Sequence, residues 1–161
     1  MLITQAPEPI QNSHDISSFD CGNSLLNDWL KRRALASHLG GATRCYVVLQ
    51  ANVVVAYYAL SAGAVADNQA TGNVKRNMPD PIPVLVLARL AIDQRCQAQG
   101  LGKALQKDAV QRAMRVAKEV GVRALLVHAI DTPATAFYVK HGFSVSPLAS
   151  LTLIVRLPDA G

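Results

Sequence analysis

The feature that most constrains this chain is an apolar run that ends in a glycine-bearing turn. Residues 84–92 read Val-Leu-Val-Leu-Ala-Arg-Leu-Ala-Ile and are apolar except for Arg89, the pattern of a buried central strand. The turn Gln97-Ala98-Gln99-Gly100-Leu101-Gly102 follows, and a helix is expected from Lys103. The first N–H groups of a helix have no intrahelical partner and sit at the positive end of its dipole, and Gly100 and Gly102 let a phosphate approach the backbone closely. A pyrophosphate would fit such a turn, although an ordinary strand-to-helix turn has the same spacing. Neither GxxxxGK[ST] nor GxGxxG with an acidic residue ending a second strand is present, so the P-loop and the Rossmann fingerprint are excluded.

The rest of the chain supplies a sheet around that strand. Asp20 to Asn23 offers cap chemistry for a helix carrying Leu25, Leu26, Trp29 and Leu30 at helical spacing and ending near Gly40 and Gly41. Residues 45–66 contain no charge, yet Gln50, Asn52 and Ser61 interrupt them and Tyr and Val are frequent. They read as a hairpin, 46–49 and 53–60, turning at 50–52, rather than as a membrane span. Residues 63–83 hold Gly72, Pro79, Pro81 and Pro83 and read as a long loop. After the glycine turn, Leu105, Ala109, Ala113, Val116 and Val120 line one helical face opposite Lys103, Lys107, Arg115 and Lys118, with Gly121 as the stop. A strand at 124–130, a helix at 132–141 capped by Gly142, and a strand at 151–157 complete the order. The expected class is α/β with a mixed sheet, in one domain over residues 1–161.

Composition narrows the function classes. At 161 residues and 50% hydrophobic, the chain can bury roughly two thirds of its unfolded surface, which excludes disordered and fibrous classes. Lys and Arg number 16 against 11 Asp and Glu, a formal charge of +5, which favours an anionic partner. Cys21, Cys45 and Cys96 are too few and too widely spaced for a metal knuckle or a secreted disulfide framework. The first residues lack a basic cluster before an apolar run, so no signal peptide is expected and the cytoplasm fits.

Three segments together resemble the GCN5-related N-acetyltransferases (GNAT). Gln97, Gly100 and Gly102 match the family signature Q/R-x-x-G-x-G/A, and Phe137-Tyr138-x-x-x-Gly142-Phe143 looks like its late helix and turn. Phe19-Asp20-Cys21-Gly22-Asn23-x-x-Leu26-Asn27-x-Trp29-Leu30 is similar to the opening of the acetyltransferase toxins of toxin–antitoxin pairs, as are Leu90-Ala91-Ile92 and Leu126-Val127-His128-Ala129. The resemblance implies the acyl-CoA N-acyltransferase fold with splayed central strands and acetyl-CoA as cosubstrate. The backbone of Leu90, Ala91 and Ile92 would pair with its pantetheine. Gln97, Gln99, Gly100, Leu101, Gly102 and Lys103 would form the pyrophosphate site, with Phe137 beside the cofactor and Tyr138 as general acid.

The same resemblance implies an acceptor and partners. The acceptor would be the α-amino group of aminoacyl-tRNA, whose acetylation blocks translation, with Lys75, Arg76 and Arg89 on tRNA phosphates. The partner would be an antitoxin of the ribbon-helix-helix type, a homodimer being left open. A phenol stays protonated at neutral pH and can protonate a departing thiolate, which suits Tyr138. An amine of pKa about 8 is already substantially neutral and needs no strong base; Glu119 and Asp131 read as solvated or capping residues. His128 and His141 have no partner at ligand spacing, so no metal is expected. Two competing functions stay open: an acetyltransferase of a small-molecule or protein amine, and a non-catalytic CoA-binding module.

Overall fold

Helix α1, Ser24–Arg32, starts where Asn23 adopts an extended conformation and its Oδ1 accepts from the Leu26 N–H at 3.1 Å, so a side chain replaces one missing helical acceptor. It breaks at Arg33, and α2, Ala34–Leu39, follows to Gly40. The computed structural model describes residues 5–159. Strands β1 (Glu8–Pro9), β2 (Arg44–Gln50) and β3 (Val53–Val65) pair antiparallel in sequence. Ala51 and Asn52 join β2 to β3 with φ of 50° and 66°, the two left-handed residues a tight hairpin requires. Strand β4 is Ile82–Ile92, and α4, Leu101–Ala117, follows. The remaining elements are the four-residue helix α3 (Gly72–Lys75), β5 (Ala124–His128), α5 (Thr132–Lys140), β6 (Ser144–Val145) and β7 (Thr152–Arg156). The seven strands form one mixed sheet in the order β1-β2-β3-β4-β5-β7-β6, as the α/β expectation required. No helix among the described residues is long and apolar enough to cross a membrane.

The chain divides into two compact units. The first takes the chain up to Ser61 together with Arg89–Ala109. Neighbouring residues of β3 point to opposite faces of the sheet, and here the two are Tyr57 and Tyr58, both fully buried. Tyr57 lies 5.5 Å from Phe19 and 5.7 Å from Trp29 and donates to the Leu26 carbonyl at 2.6 Å, so it anchors α1. Tyr58 lies 5.2 Å from Tyr46 and donates to Asp108 of α4. Ile10, Leu30, Ala34, Val47 and Ala91 close the core on the Tyr57 side.

A buried carboxylate ties this unit together at the end of β4. Asp93 is 1% exposed, and its oxygens accept from Arg95 N, Nε and Nη2 and from the Asp20 N–H at 2.8–3.0 Å. The Gln94 N–H in turn donates to the Asp20 carbonyl at 2.9 Å. Segment 19–23 is thereby fixed to the segment that leads into α4. Burial pushes the Asp93 carboxyl up, but the Arg95 and Asp20 donors outweigh it and its pKa is lowered overall.

The second unit takes Ala62–Ala88 and the chain from Val110. Here β4 pairs parallel with β5 over residues 84–87, and β7 pairs antiparallel with β5 and β6. The β4–β5 ladder stops at Leu87 although β4 itself continues to Ile92. Val65, Val74, Ile82, Leu126 and Ile154 form the core. Asp131 caps α5 by accepting from the Ala134 N–H at 2.9 Å, and Pro133 fills the first turn, where no N–H is needed. Arg123, with its side chain 12% exposed, donates to the carbonyls of Val74, Asn73 and Arg76 at 3.0–3.2 Å and so holds the end of α3.

Four boundaries differ from the sequence reading. Residues 63–83 are not one long loop: β3 runs on to Val65, a 3-10 turn at Asp67–Gln69 and α3 follow, and β4 begins at Ile82. Gly63 marks a close approach rather than a turn, because a Cβ there would lie 2.8 Å from a Val86 methyl. Helix α4 starts at Leu101, not Lys103, and ends at Ala117, leaving Val120 58% exposed beyond it. Strands β5 and β7 end short of the expected bounds, and β1 and β6 are two residues each, too short to show a period.

Two stability outcomes follow. Arg123→Met should lower unfolding free energy by about 1–2 kcal/mol in urea titration, since three carbonyls, that of the buried Val74 among them, lose a charged donor, and should speed proteolysis near α3. Asp93→Asn should cost about 2 kcal/mol at neutral pH. Because the folded Asp93 pKa is depressed, its stabilisation is present above the unfolded value of about 3.9 and lost as pH falls through the folded one. The gap between wild type and variant in denaturation curves should therefore narrow as pH falls below about 4, and a gap that stays constant through the acid range would refute the linkage.

Candidate functional site

In the first unit the strand, the turn and α4 arise from consecutive local devices. Asp93 ends β4 and accepts from the Arg95 N–H, starting the 3-10 turn Gln94–Cys96. Gln97 is extended, Ala98 is left-handed at φ 61°, and Gly100 is left-handed at φ 78°. The Gly100 carbonyl then accepts from Ala104 N at 3.2 Å, so α4 begins on Leu101. The N–H groups of Leu101, Gly102 and Lys103 are therefore those that helix geometry leaves without an intrahelical acceptor. Among the described residues, no atom beyond Gly100 and its two chain neighbours lies within 4 Å of where a Gly100 Cβ would stand. Open backbone amides at a positive helix end are what an anion requires.

Gln97, expected as a cofactor contact, turns its side chain to the protein instead. Its Nε2 donates to the carbonyls of Ile92 at 2.9 Å and Cys21 at 3.2 Å. It thereby joins the last residue of β4 and segment 19–23 to the start of the turn, on the same side of the chain that Asp93 fixes. Gln99 and Lys103 are exposed, Leu101 and Gly102 partly so. Of the β4 residues, Ala91 is 4% exposed and packed in the core, while Leu90 and Ile92 are half-buried. Ala98 is a feature that sequence reading missed, since nothing in the residue type announces a left-handed alanine.

The second unit carries Tyr138 and Phe137. Tyr138 is 6% exposed on α5, with its ring 5.1 Å from Phe137 and 5.5 Å from Phe143. The Phe143 N–H returns to the Tyr138 carbonyl at 3.0 Å, and Gly142 at φ 98° makes that reversal. Burial pushes the Tyr138 hydroxyl up to about 12, so it is held neutral across the ordinary pH range. The expected capping role of Asp131 is observed. His128 bonds Thr152 Oγ1, and His141 bonds the Phe137 carbonyl at the end of α5. The three cysteines are free, Cys45 and Cys96 being buried. Among the described residues no three His, Cys, Asp or Glu could hold a metal ion.

The expected RNA contacts belong to both units. Lys75 and Arg76 are exposed in the second unit, at the end of α3 that Arg123 holds. Arg89 belongs to the first, where its guanidinium sits 4.4 Å from the centroid of the Trp29 indole. It lines a cleft of about 400 Å³ with Arg32, Arg33, Asp28, Leu25 and Leu26. Arg32 and Arg33 are among the basic residues that the sequence offers for the acceptor side, with Lys31, Arg44 and Arg95, but any one of them is explained as well by solvation of a surface. The one signal was Arg89, a lone charge in an apolar strand.

Comparison with known proteins places this architecture. Residues 41–145 match the acetyltransferase (GNAT) domain. A tRNA-acetylating toxin of Mycobacterium tuberculosis (strain ATCC 25618 / H37Rv) is 46% identical over 155 residues, covering 96% of this chain and 93% of the relative. AtaT complexed with acetyl-methionyl-tRNAfMet superposes with a TM-score of 0.86 at 26% identity, over 94% of each chain. A tyrosine-to-phenylalanine mutant of AtaT bound to the C-terminus of the antitoxin AtaR has a TM-score of 0.79 at 27% identity, over 94% of this chain and 90% of that one. A sequence match covering most of the chain and the same fold at these similarities have one meaning: the chain belongs to the GNAT acetyltransferase family.

Proposed function

We propose that this chain is a toxin that transfers the acetyl group of acetyl-CoA to the α-amino group of aminoacyl-tRNA and so stops translation. The observation that carries this reading is the 46% identity, along nearly the full length of both chains, to a tRNA-acetylating toxin. A cytoplasmic site of action and a single GNAT domain go with it.

Each residue class has a part in the reaction. The N–H groups around Gln99, Gly100, Leu101, Gly102 and Lys103 hold the pyrophosphate, while Gln97 keeps the turn in register. The backbone of Leu90, Ala91 and Ile92 aligns the pantetheine, and Phe137 packs beside it. The amine nitrogen attacks the thioester carbonyl carbon; the C–N bond forms, the C–S bond breaks, and the sulfur leaves with a proton from Tyr138. The amine's own proton passes to solvent. A reference α-amino pKa of about 8 leaves a usable neutral fraction without a dedicated carboxylate. Lys75, Arg76 and Arg89 contact tRNA phosphates. A cognate antitoxin of the ribbon-helix-helix type holds the protein silent; the antitoxin-bound form of AtaT supports such a partner.

Incubation with labelled acetyl-CoA and total charged tRNA tests donor, acceptor and activity together, and label confined to free amines or absent altogether would end this reading. Gly100→Glu should remove acetyl-CoA binding in calorimetry, because it sets a carboxylate where the pyrophosphate approaches. Gly100→Ala, whose methyl would meet no described atom within 4 Å beyond its chain neighbours, should cost only the backbone strain of a left-handed alanine, about 1–2 kcal/mol. Tyr138→Phe should keep acetyl-CoA affinity and lose about 100-fold or more in turnover. With its pKa raised to about 12, Tyr138 stays protonated as pH rises past 10, so wild-type single-turnover rates should not fall between about pH 8 and the ordinary phenol value of about 10. A descending limb in that range that vanishes in Tyr138→Phe would contradict the buried, neutral hydroxyl.

A further inference from the structure

We infer that the cleft formed by Arg32, Arg33 and Arg89 is a phosphate clamp for the sugar–phosphate backbone of the RNA substrate, one that reads charge and not base identity. It rests on the RNA-acetylating reading above and adds to it a site built mainly from α1.

Three guanidinium groups line a single cleft of about 400 Å³ with one carboxylate, Asp28, at its edge. Among the described residues none of the three makes a side-chain hydrogen bond or an ion pair; Arg89 lies over the Trp29 indole, and its charge reaches the Tyr57 phenol. Arg32 and Arg33 alone could be explained as cations offsetting the C-terminal dipole of α1. Arg89 cannot, because it comes from β4, and placing a charge in an apolar strand without a carboxylate partner is costly unless an anion arrives. Leu25, Leu26 and Trp29 make most of the rest of the lining apolar, so a phosphate there would find no competing side-chain acceptor besides Asp28.

Trp29 decides what kind of anion this is. The indole, which itself lines the cleft, stacks on Tyr57 at 5.7 Å and 18°, and the Arg89 guanidinium lies over it at 4.4 Å from the centroid. The one aromatic ring of the cleft is thus already engaged by a phenol ring and a guanidinium, which sets it apart from the free aromatic platform on which single-stranded bases stack. What it offers is a fixed guanidinium, oriented by the indole, flanked by two arginines on a helix. Planar, bidentate donors of this kind match phosphate oxygens. Trp29 is then a positioning residue for Arg89.

The test uses Arg32→Gln, Arg33→Gln and Arg89→Gln, each with its Lys counterpart. Arg32 and Arg33 are exposed, and a thermal melt checks each fold. Binding of deacylated tRNA is titrated against salt, and acetylation of charged tRNA is assayed in parallel. Each Gln variant should weaken tRNA binding several-fold, by the same factor for tRNAs of different sequence, and lower the slope of log K against log salt by about 0.7–0.9. Each Lys variant should restore the slope. KM for charged tRNA should rise with kcat and acetyl-CoA affinity unchanged. Unaltered affinity and slope in folded variants, or a loss that differs between tRNA sequences, overturns the clamp, as does a loss confined to antitoxin binding. If the wild type binds tRNA with arginine-dependent slope but acetylates no charged tRNA, the clamp stands and the proposed function falls.

Discussion

The donor end of this enzyme depends on one buried carboxylate. Asp93 is nearly inaccessible yet charged, and a charge in that position is tolerable only with its lone pairs filled. Arg95 and the Asp20 backbone fill them. The consequence is geometric. Segment 19–23, far away in sequence, becomes part of the frame that aims the amides of α4, and Gln97 adds a second tie from Ile92 and Cys21 to the same place. The turn proposed for the pyrophosphate is thus set by side chains outside it.

How far the sequence could be read follows from which interactions are local. Helix α1, the hairpin turn marked by Asn52, α5 with its Asp131 cap, and Gly100 in the turn before α4 all rest on local geometry, and their residue types announce them; the left-handed Ala51 and Ala98 beside them do not. Residues 63–83 were misjudged because Gly63 looks the same whether it makes a turn or lets Val86 come close. The role of Asp93 was invisible because its partner Asp20 is 73 residues away and contributes only a backbone N–H. The pairing of Trp29 with Arg89 is likewise a tertiary contact. The signature residues marked the cofactor turn, whereas the acceptor-side arginines needed the fold to collect them.

The chemistry is divided in a way that suits a polymeric acceptor. Tyr138 is insulated by Phe137, Phe143 and burial, which keeps its proton, while the arginines on α1 stay exposed and uncommitted. Long-range charge steers and holds a polyanion without requiring it to be rigid, and the proton donor need not be accessible to anything but the reacting atoms.

Ala98 carries a consequence of a different kind. A left-handed alanine costs about 1–2 kcal/mol of folded-state free energy that a glycine would not. Alanine nevertheless restricts the unfolded and loosened states of the turn far more than glycine does. When an anion settles onto α4, there is correspondingly less backbone entropy to lose. The turn has exchanged conformational ease in the resting protein for a smaller ordering cost on binding.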